Sequence, residues 1–277
     1  MTKCSRSAKY CAPLIITLLF FAFISSPNLA SSNYYLKSEH SISIEKEIEQ
    51  YLDLFDSLVL PENNYTRGLS WNYSEYILGL GYIYEHFNDQ DILARMVRGS
   101  DYLISRRNDY YDKLILYVDD QMLPVWPAFE DRWKLNNKAV PFTNHLMTAN
   151  IMQPIAMTAL FLSQSGNRAH QEKARYYIRQ LEQTLDKFSF SELWFDKQKN
   201  LFIHANTSKL SEIKEVPSYQ VGEPVSFNRI LMMSSVLYLI LKTKEILNLQ
   251  KNTEKYKTTV SHSCLLYTSP SPRDNRV

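Results

Sequence analysis

The chain has 277 residues, 45% of them hydrophobic, and a formal net charge of +2. That balance excludes the strongly basic footprint of a nucleic-acid binder. Six glycines leave little for a Gly-rich phosphate loop, and no Gly-x-Ser-x-Gly elbow is present.

The N-terminus has the pattern of a secretory leader. Lys3, Arg6 and Lys9 precede an apolar stretch, Ala12–Ile24, and Ala30-Ser31-Ser32 supplies a small-x-small cleavage site. The stretch is shorter than the ~20 residues that span a bilayer, so residues 1–32 are expected to be removed, leaving no stable membrane span. No Leu-rich lipobox abuts Cys4 or Cys11. The chain is therefore expected to be exported, to the periplasm or the extracellular space.

Ser41–Leu60 places apolar residues three and four apart from Ile44 onward and ends at Pro61. This predicts an amphipathic lead-in helix. A two-helix unit then recurs at Tyr73–Arg106, Thr143–Phe188 and Ser226–Val260. In each, a segment apolar nearly all round is followed by a short link and an amphipathic segment. The first segments belong inside and the second outside. The links His86–Gln90, Gln164–Arg168 and Leu247–Asn252 are short, and the connections Arg107–Pro141 and Ser189–Val225 are long. Short links at one end of a helical array gather the long connections at the other, where sites are usually built.

Cap chemistry supports the links. Asn88 precedes Asp91 by three, Gly166 suits a left-handed C′ position, and Asn167 and Asn252 suit the start of the next helix. Pro154 lies within the second inner segment and cannot donate to the Asn150 carbonyl. Either the helix kinks there, leaving a polar notch near Asn150 and Gln153, or the helix begins at Pro154.

The tail Cys264-Leu265-Leu266-Tyr267-Thr268-Ser269-Pro270-Ser271-Pro272-Arg273-Asp274 resembles the conceptual translation of a transposase adapter used in DNA library preparation. That resemblance implies that residues 264–277 are not native and that the natural sequence is interrupted near Ser263. The domain proper is then 33–263, a truncated array of hairpins. Without Lys3, Arg6, Lys9, Arg273 and Arg276 the 31 Lys and Arg fall to 26, and without Asp274 the 29 acidic residues fall to 28. All three cysteines lie in the trimmed ends, so neither disulfides nor thiolate zinc is expected.

Buried inner helices, amphipathic outer helices and tight inner-to-outer turns predict an all-α protein, an α/α barrel or an open arc of hairpins. Hairpins of this size with Trp-bearing long loops resemble the α/α-toroid enzymes that handle carbohydrates, the six-hairpin glycosidase-like group. The resemblance spans Trp71 to Val260. It implies a carbohydrate partner and a glycoside hydrolase, or a uronate lyase or epimerase. No cofactor is expected.

Candidate chemistry lies where the inner segments begin: Trp71-Asn72-Tyr73-Ser74-Glu75, Thr143-Asn144-His145, and Gly222-Glu223 through Phe227-Asn228. Ser74, Thr143 and Ser226 are expected to cap helices. His145 is the candidate acid or base, because imidazole titrates near neutrality. Glu223 and Asp120 are candidate carboxylates. Trp71, Glu75, Asn144, Asn228 and Arg132 are candidate positioners. A pyranose offers an apolar C–H face and a hydroxyl rim, so Trp126 is a candidate stacking platform. The alternative for the loop tryptophans Trp126 and Trp133 is that they pin the loop onto the helices. Trp194 and His204 fall in a hairpin-like stretch, Leu193–Ala205, and either wall the same cleft or pack it. No His-x-x-x-His, EF-hand loop or Cys pair suggests a metal. The rival function is a non-catalytic helical-repeat protein that holds a peptide, protein or glycan.

Overall fold

A computed structural model of the chain describes residues 44–130, 133–213 and 221–268. The expected leader, Arg132 and residues 269–277 lie outside the described residues. Contacts divide the chain into a unit ending at Tyr51 and another beginning at Leu52. Of the first, the described part is the largely exposed opening of α1 (Ile44–Ser57). The second contains the remaining elements.

The protein is mainly helical, as the periodicity predicts. The hairpins are α2 (Ser74–Phe87) with α3 (Gln90–Ser105), α4 (His145–Gln164) with α5 (Arg168–Thr184), and α7 (Phe227–Ile246) with α8 (Thr253–Thr268). The short α6 (Lys209–Glu212) lies in the second long loop. α4 packs against α2 on one side and α7 on the other, and α2 and α7 share no extensive contact. Outer helices α3 and α5 each pack on α4 as well as on their neighbours.

Local sequence explains the turns, with four corrections. Asp89, not Asn88, caps α3, its carboxylate accepting the Asp91 N–H at 2.7 Å. Asn88 instead takes the left-handed position that ends α2, at φ 50°. Asn167 caps α5 as its side chain predicts, accepting the Ala169 N–H at 2.8 Å. The left-handed role expected of Gly166 is not used; Ser165 ends α4 in an extended conformation. Asn252 is left-handed, at φ 61°. Ser74 is no cap either. A π-helical turn at Leu69–Tyr73 runs straight into α2, and Ser74 Oγ donates to the Leu69 carbonyl at 2.6 Å. At the start of α4 the cap is Asn144, while Thr143 bonds Thr148 at 3.1 Å.

Helix contacts are close where glycine permits. A Cβ on Gly81 would lie 2.6 Å from the Met157 sulfur of α4, and one on Gly99 would lie 2.7 Å from Ile77. α4 is apolar and long enough to cross a bilayer by composition, but it is the buried centre of this array. It runs unbroken through Pro154, so the helix does not begin there.

The long connections fold back over the helix ends. One carries the β1–β2 hairpin (Lys134–Leu135, Lys138–Ala139), the other β3–β4 (Phe195–Asp196, Leu201–Phe202), both antiparallel. Ala128–Phe142 and Ile203–Pro224 form further antiparallel bridges. Arg107 fastens the first loop to α5: its guanidinium is buried, pairs with Asp109 and donates to the Gln180 carbonyl at 2.8 Å.

Candidate functional site

The two long loops contribute most of a second apolar cluster, including Leu116, Val125, Trp133, Trp194, Ala205 and Leu210. Phe142, Met147 and Phe188 from the helix ends complete it. This overturns the role expected of Trp126. Its side chain is 1% exposed, and its indole N–H donates to the Leu103 carbonyl at 2.7 Å. Neither ring face is free to stack on a sugar. Trp133 is likewise inside, tilted against Phe142 at 5.0 Å. Trp194 packs the rim and does not wall an open cleft.

His145 is overturned as the acid or base. It is fully buried, with the rings of Phe188, Trp194 and Phe202 at 5.1–5.5 Å. Neither ring nitrogen has a hydrogen-bond partner. Burial holds its pKa down to about 3, with His204 and Arg229 adding to the effect and the Ser189 backbone, near the ring but outside hydrogen-bond geometry, opposing it. A neutral, enclosed imidazole cannot reach a substrate proton. His204 is also buried and held down to about 4 by desolvation, then by Arg229.

Asp120 turns outward in a left-handed conformation and forms an ion pair with Lys209. Its predecessor Asp119 is the more unusual acid. It accepts the Trp194 indole N–H at 2.7 Å, tying the two long loops together. Burial pushes its pKa up to about 6, the Trp194 bond opposes this, and Asp120 adds to it. The folded pKa lies above the unfolded one, so this group's contribution to stability is full below the ordinary Asp range and lost as pH rises through about 6. Asp119→Asn keeps an acceptor for Trp194 without the charge. It should stabilise the protein by roughly 1–3 kcal/mol at pH 8 and by little at pH 4. Urea titration at the two pH values measures this; equal effects at both would refute it.

The remaining candidates divide by position. Glu223 is exposed, and its backbone carbonyl accepts the His204 N–H at 2.8 Å. Asn144 is buried and caps α4, with its side chain on the Met147 N–H at 3.0 Å. Asn228 is exposed in the first turn of α7. Trp71 lies in the π-helical turn, half-buried, with its indole N–H enclosed and unpartnered. Turns of this type occur often at functional sites.

Glu75 is the carboxyl with the most useful environment. It is exposed to solvent, yet burial of its surroundings raises its pKa. Tyr82, on the same stripe of α2, is also accessible and also raised by burial. Both lie on the accessible side of α2.

On α7, Asn228, Leu231, Ser235 and Tyr238 recur at spacings of three and four, so they share a stripe, and each is at least partly accessible. Gln153 of α4 reaches that stripe, its Nε2 donating to Ser235 Oγ at 3.2 Å. Gln153 Oε1 and Ser234 Oγ are buried without partners. Tyr82, Ser235 and Tyr238 were not picked out by sequence reasoning. The signal that marks them is a polar or aromatic residue every three or four positions along a helix otherwise apolar all round.

A separate cleft of about 370 Å³ lies outside α3, lined by Phe55, Leu58, Leu60, Tyr73, Arg98 and Tyr102 among others. Its charges are already engaged. Asp56 pairs with Arg95 and Arg98, and Asp101 accepts from Lys173 and Tyr177. No group of three His, Cys, Asp or Glu residues suited to a metal ion occurs among the described residues.

No family model matches the chain, and no curated protein or solved structure matches it significantly.

Proposed function

We propose that this is an exported carbohydrate-active protein of α/α-toroid type that engages an oligosaccharide along the accessible stripes of its inner helices. The observation that carries this is the side-chain chemistry there. Tyr82 and Tyr238 are both accessible, with Lys242 over the Tyr238 ring, and Asn228 adds an exposed planar amide on the Tyr238 stripe. Apolar sugar faces and hydroxyl rims call for that pairing. The exported location rests on the leader pattern of residues 1–32.

Within this reading Glu75 is the proton donor for glycoside hydrolysis, because a carboxyl raised by its surroundings stays protonated closer to neutral pH. A uronate lyase is the weaker version, since its only histidine candidate at a helix start is enclosed. The rival is binding without turnover on an open arc. It is favoured by the lack of extensive contact between α2 and α7.

Calorimetry with neutral and acidic hexasaccharides, paired with reducing-end release, tests the proposal. Tyr238→Ala should weaken binding roughly tenfold. A thermal melt should show the variant still folded, because the residue is 37% exposed and lies outside the core. Binding with release supports the hydrolase, and binding without release supports the rival. No saccharide binding at millimolar concentration refutes both.

A further inference from the structure

The cleft outside α3 keeps two hydrogen-bonding groups uncommitted. Phe55, Leu58, Leu60 and Tyr102 make much of its wall apolar, and its volume of about 370 Å³ lies in the range of small-molecule sites. The aromatic rings hold one another in place. Phe55 stacks on Tyr73 at 6.0 Å, and Tyr102 meets Tyr73 edge-on at 5.5 Å. The Tyr102 hydroxyl donates to the Pro61 carbonyl at 3.0 Å, and Ser105 Oγ donates to the Tyr102 carbonyl at 2.7 Å. Tyr73 differs. It is 3% exposed, it lines the cleft, and among the described residues its hydroxyl has no hydrogen-bond partner. Burial pushes its pKa up to about 12, with Arg98 opposing and Tyr102 adding, so it remains a donor at neutral pH.

The charged groups of the cleft differ in what they have left to offer. Both oxygens of Asp101 already accept, from Lys173 at 2.7 Å and from the Tyr177 hydroxyl at 2.9 Å. Both oxygens of Asp56 accept too, one from Arg95 and one from Arg98. Arg98 commits a single Nη to that pair, out of a guanidinium with five N–H donors. Its side chain is 62% exposed and lies over the Phe55 ring, 5.9 Å from the centroid. We propose that this cleft binds a small apolar monocarboxylate, with its hydrocarbon body against Phe55, Leu58, Leu60 and Tyr102 and its carboxylate on Arg98 and the Tyr73 hydroxyl. A carboxylate supplies the acceptors that those two donors lack, and its bond to a guanidinium is of the stronger, charge-assisted kind. An amine would bring donors to donors, beside carboxylates whose oxygens are taken. The site stands apart from the inner-helix stripes, so the inference does not rest on the saccharide reading.

The test titrates the full chain by calorimetry with phenylacetate and hexanoate. Acetate, 2-phenylethanol and 2-phenylethylamine are the controls for body, charge and sign of charge. At least one of the two acids should bind roughly tenfold tighter than every control. Arg98→Gln leaves Asp56 paired with Arg95 and should remain folded in a thermal melt. It should weaken that acid about tenfold and leave 2-phenylethanol unchanged. Tyr73→Phe keeps the ring and should weaken the acid about fivefold. Binding of the alcohol or the amine as tightly as the acids overturns the inference. So does unaltered acid binding in a folded Arg98→Gln protein, or no binding of either acid at roughly 10 mM. Each of these results leaves the saccharide reading untouched.

Discussion

His145→Phe should yield a folded protein that is more stable than the parent and far less sensitive to acid. The imidazole occupies a site walled by Phe188, Trp194 and Phe202, and both its nitrogens lack partners. Two buried polar atoms without bonds cost ~1–3 kcal/mol apiece, whereas a phenyl ring of similar shape costs nothing on that account. Against this stands the extra volume of the phenyl, which a packed core resists by ~1–3 kcal/mol. A net gain of roughly 1 kcal/mol at pH 7 is expected.

The pH dependence is the larger effect. The folded pKa, about 3, lies below the ordinary value of 6.5. The unfolded chain therefore takes up a proton that the folded chain refuses, and stability is lost as pH falls from about 6.5 towards 3. Replacing the histidine removes that loss, which amounts to several kcal/mol at the acid end. Guanidinium melts at pH 7 and pH 4 check both parts. A variant destabilised at both pH values would mean that the imidazole holds an essential hydrogen bond. It would return His145 to the list of working residues.

The error over His145 shows where a single sequence stops informing. Its placement at the start of a helix, after the cap Asn144, is local information and holds. What lies over that helix start is not local. Phe188 ends the outer helix and Trp194 and Phe202 come from the second long loop, so the enclosure of His145 depends on contacts some forty to sixty residues distant. Periodicity carries the helices themselves, because an apolar-all-round segment followed by a charged-face segment has few packings. Asn167 was legible because a cap acts within three residues. Pro154 was ambiguous because a proline is equally compatible with a helix start, and only the packing of α4 between α2 and α7 keeps the helix running through it. The accessible polar stripe was legible in composition but not in geometry. Gln153 stood out as a polar residue in an apolar segment, whereas its contact with Ser235 joins residues 82 positions apart.

The same reasoning makes Trp126→Ala the most damaging single change expected. A loop of more than thirty residues with no long element of its own must either be disordered or bury its aromatics. Here it buries its tryptophans, Trp126 most completely, at 1% exposure. Its indole N–H satisfies the Leu103 carbonyl near the end of α3, and its own carbonyl accepts from the buried Asn64 side chain at 2.9 Å. The ring thus joins the first long loop to α3, while the Trp126 backbone holds the segment before α2. Truncation to alanine leaves a cavity and takes one of two hydrogen bonds from the Leu103 carbonyl, which keeps the Arg106 N–H at 3.2 Å, at ~3–5 kcal/mol. Trp126→Phe keeps much of the volume and should cost about half as much, through the lost N–H bond and incomplete filling. A stacking platform would behave in the opposite way: saccharide affinity would fall steeply while the melting temperature stayed put. Denaturant melts of the two variants beside the calorimetric titration decide between these outcomes. A stable Trp126→Ala protein with lost affinity would mean that the first long loop opens in solution and presents this ring to a ligand.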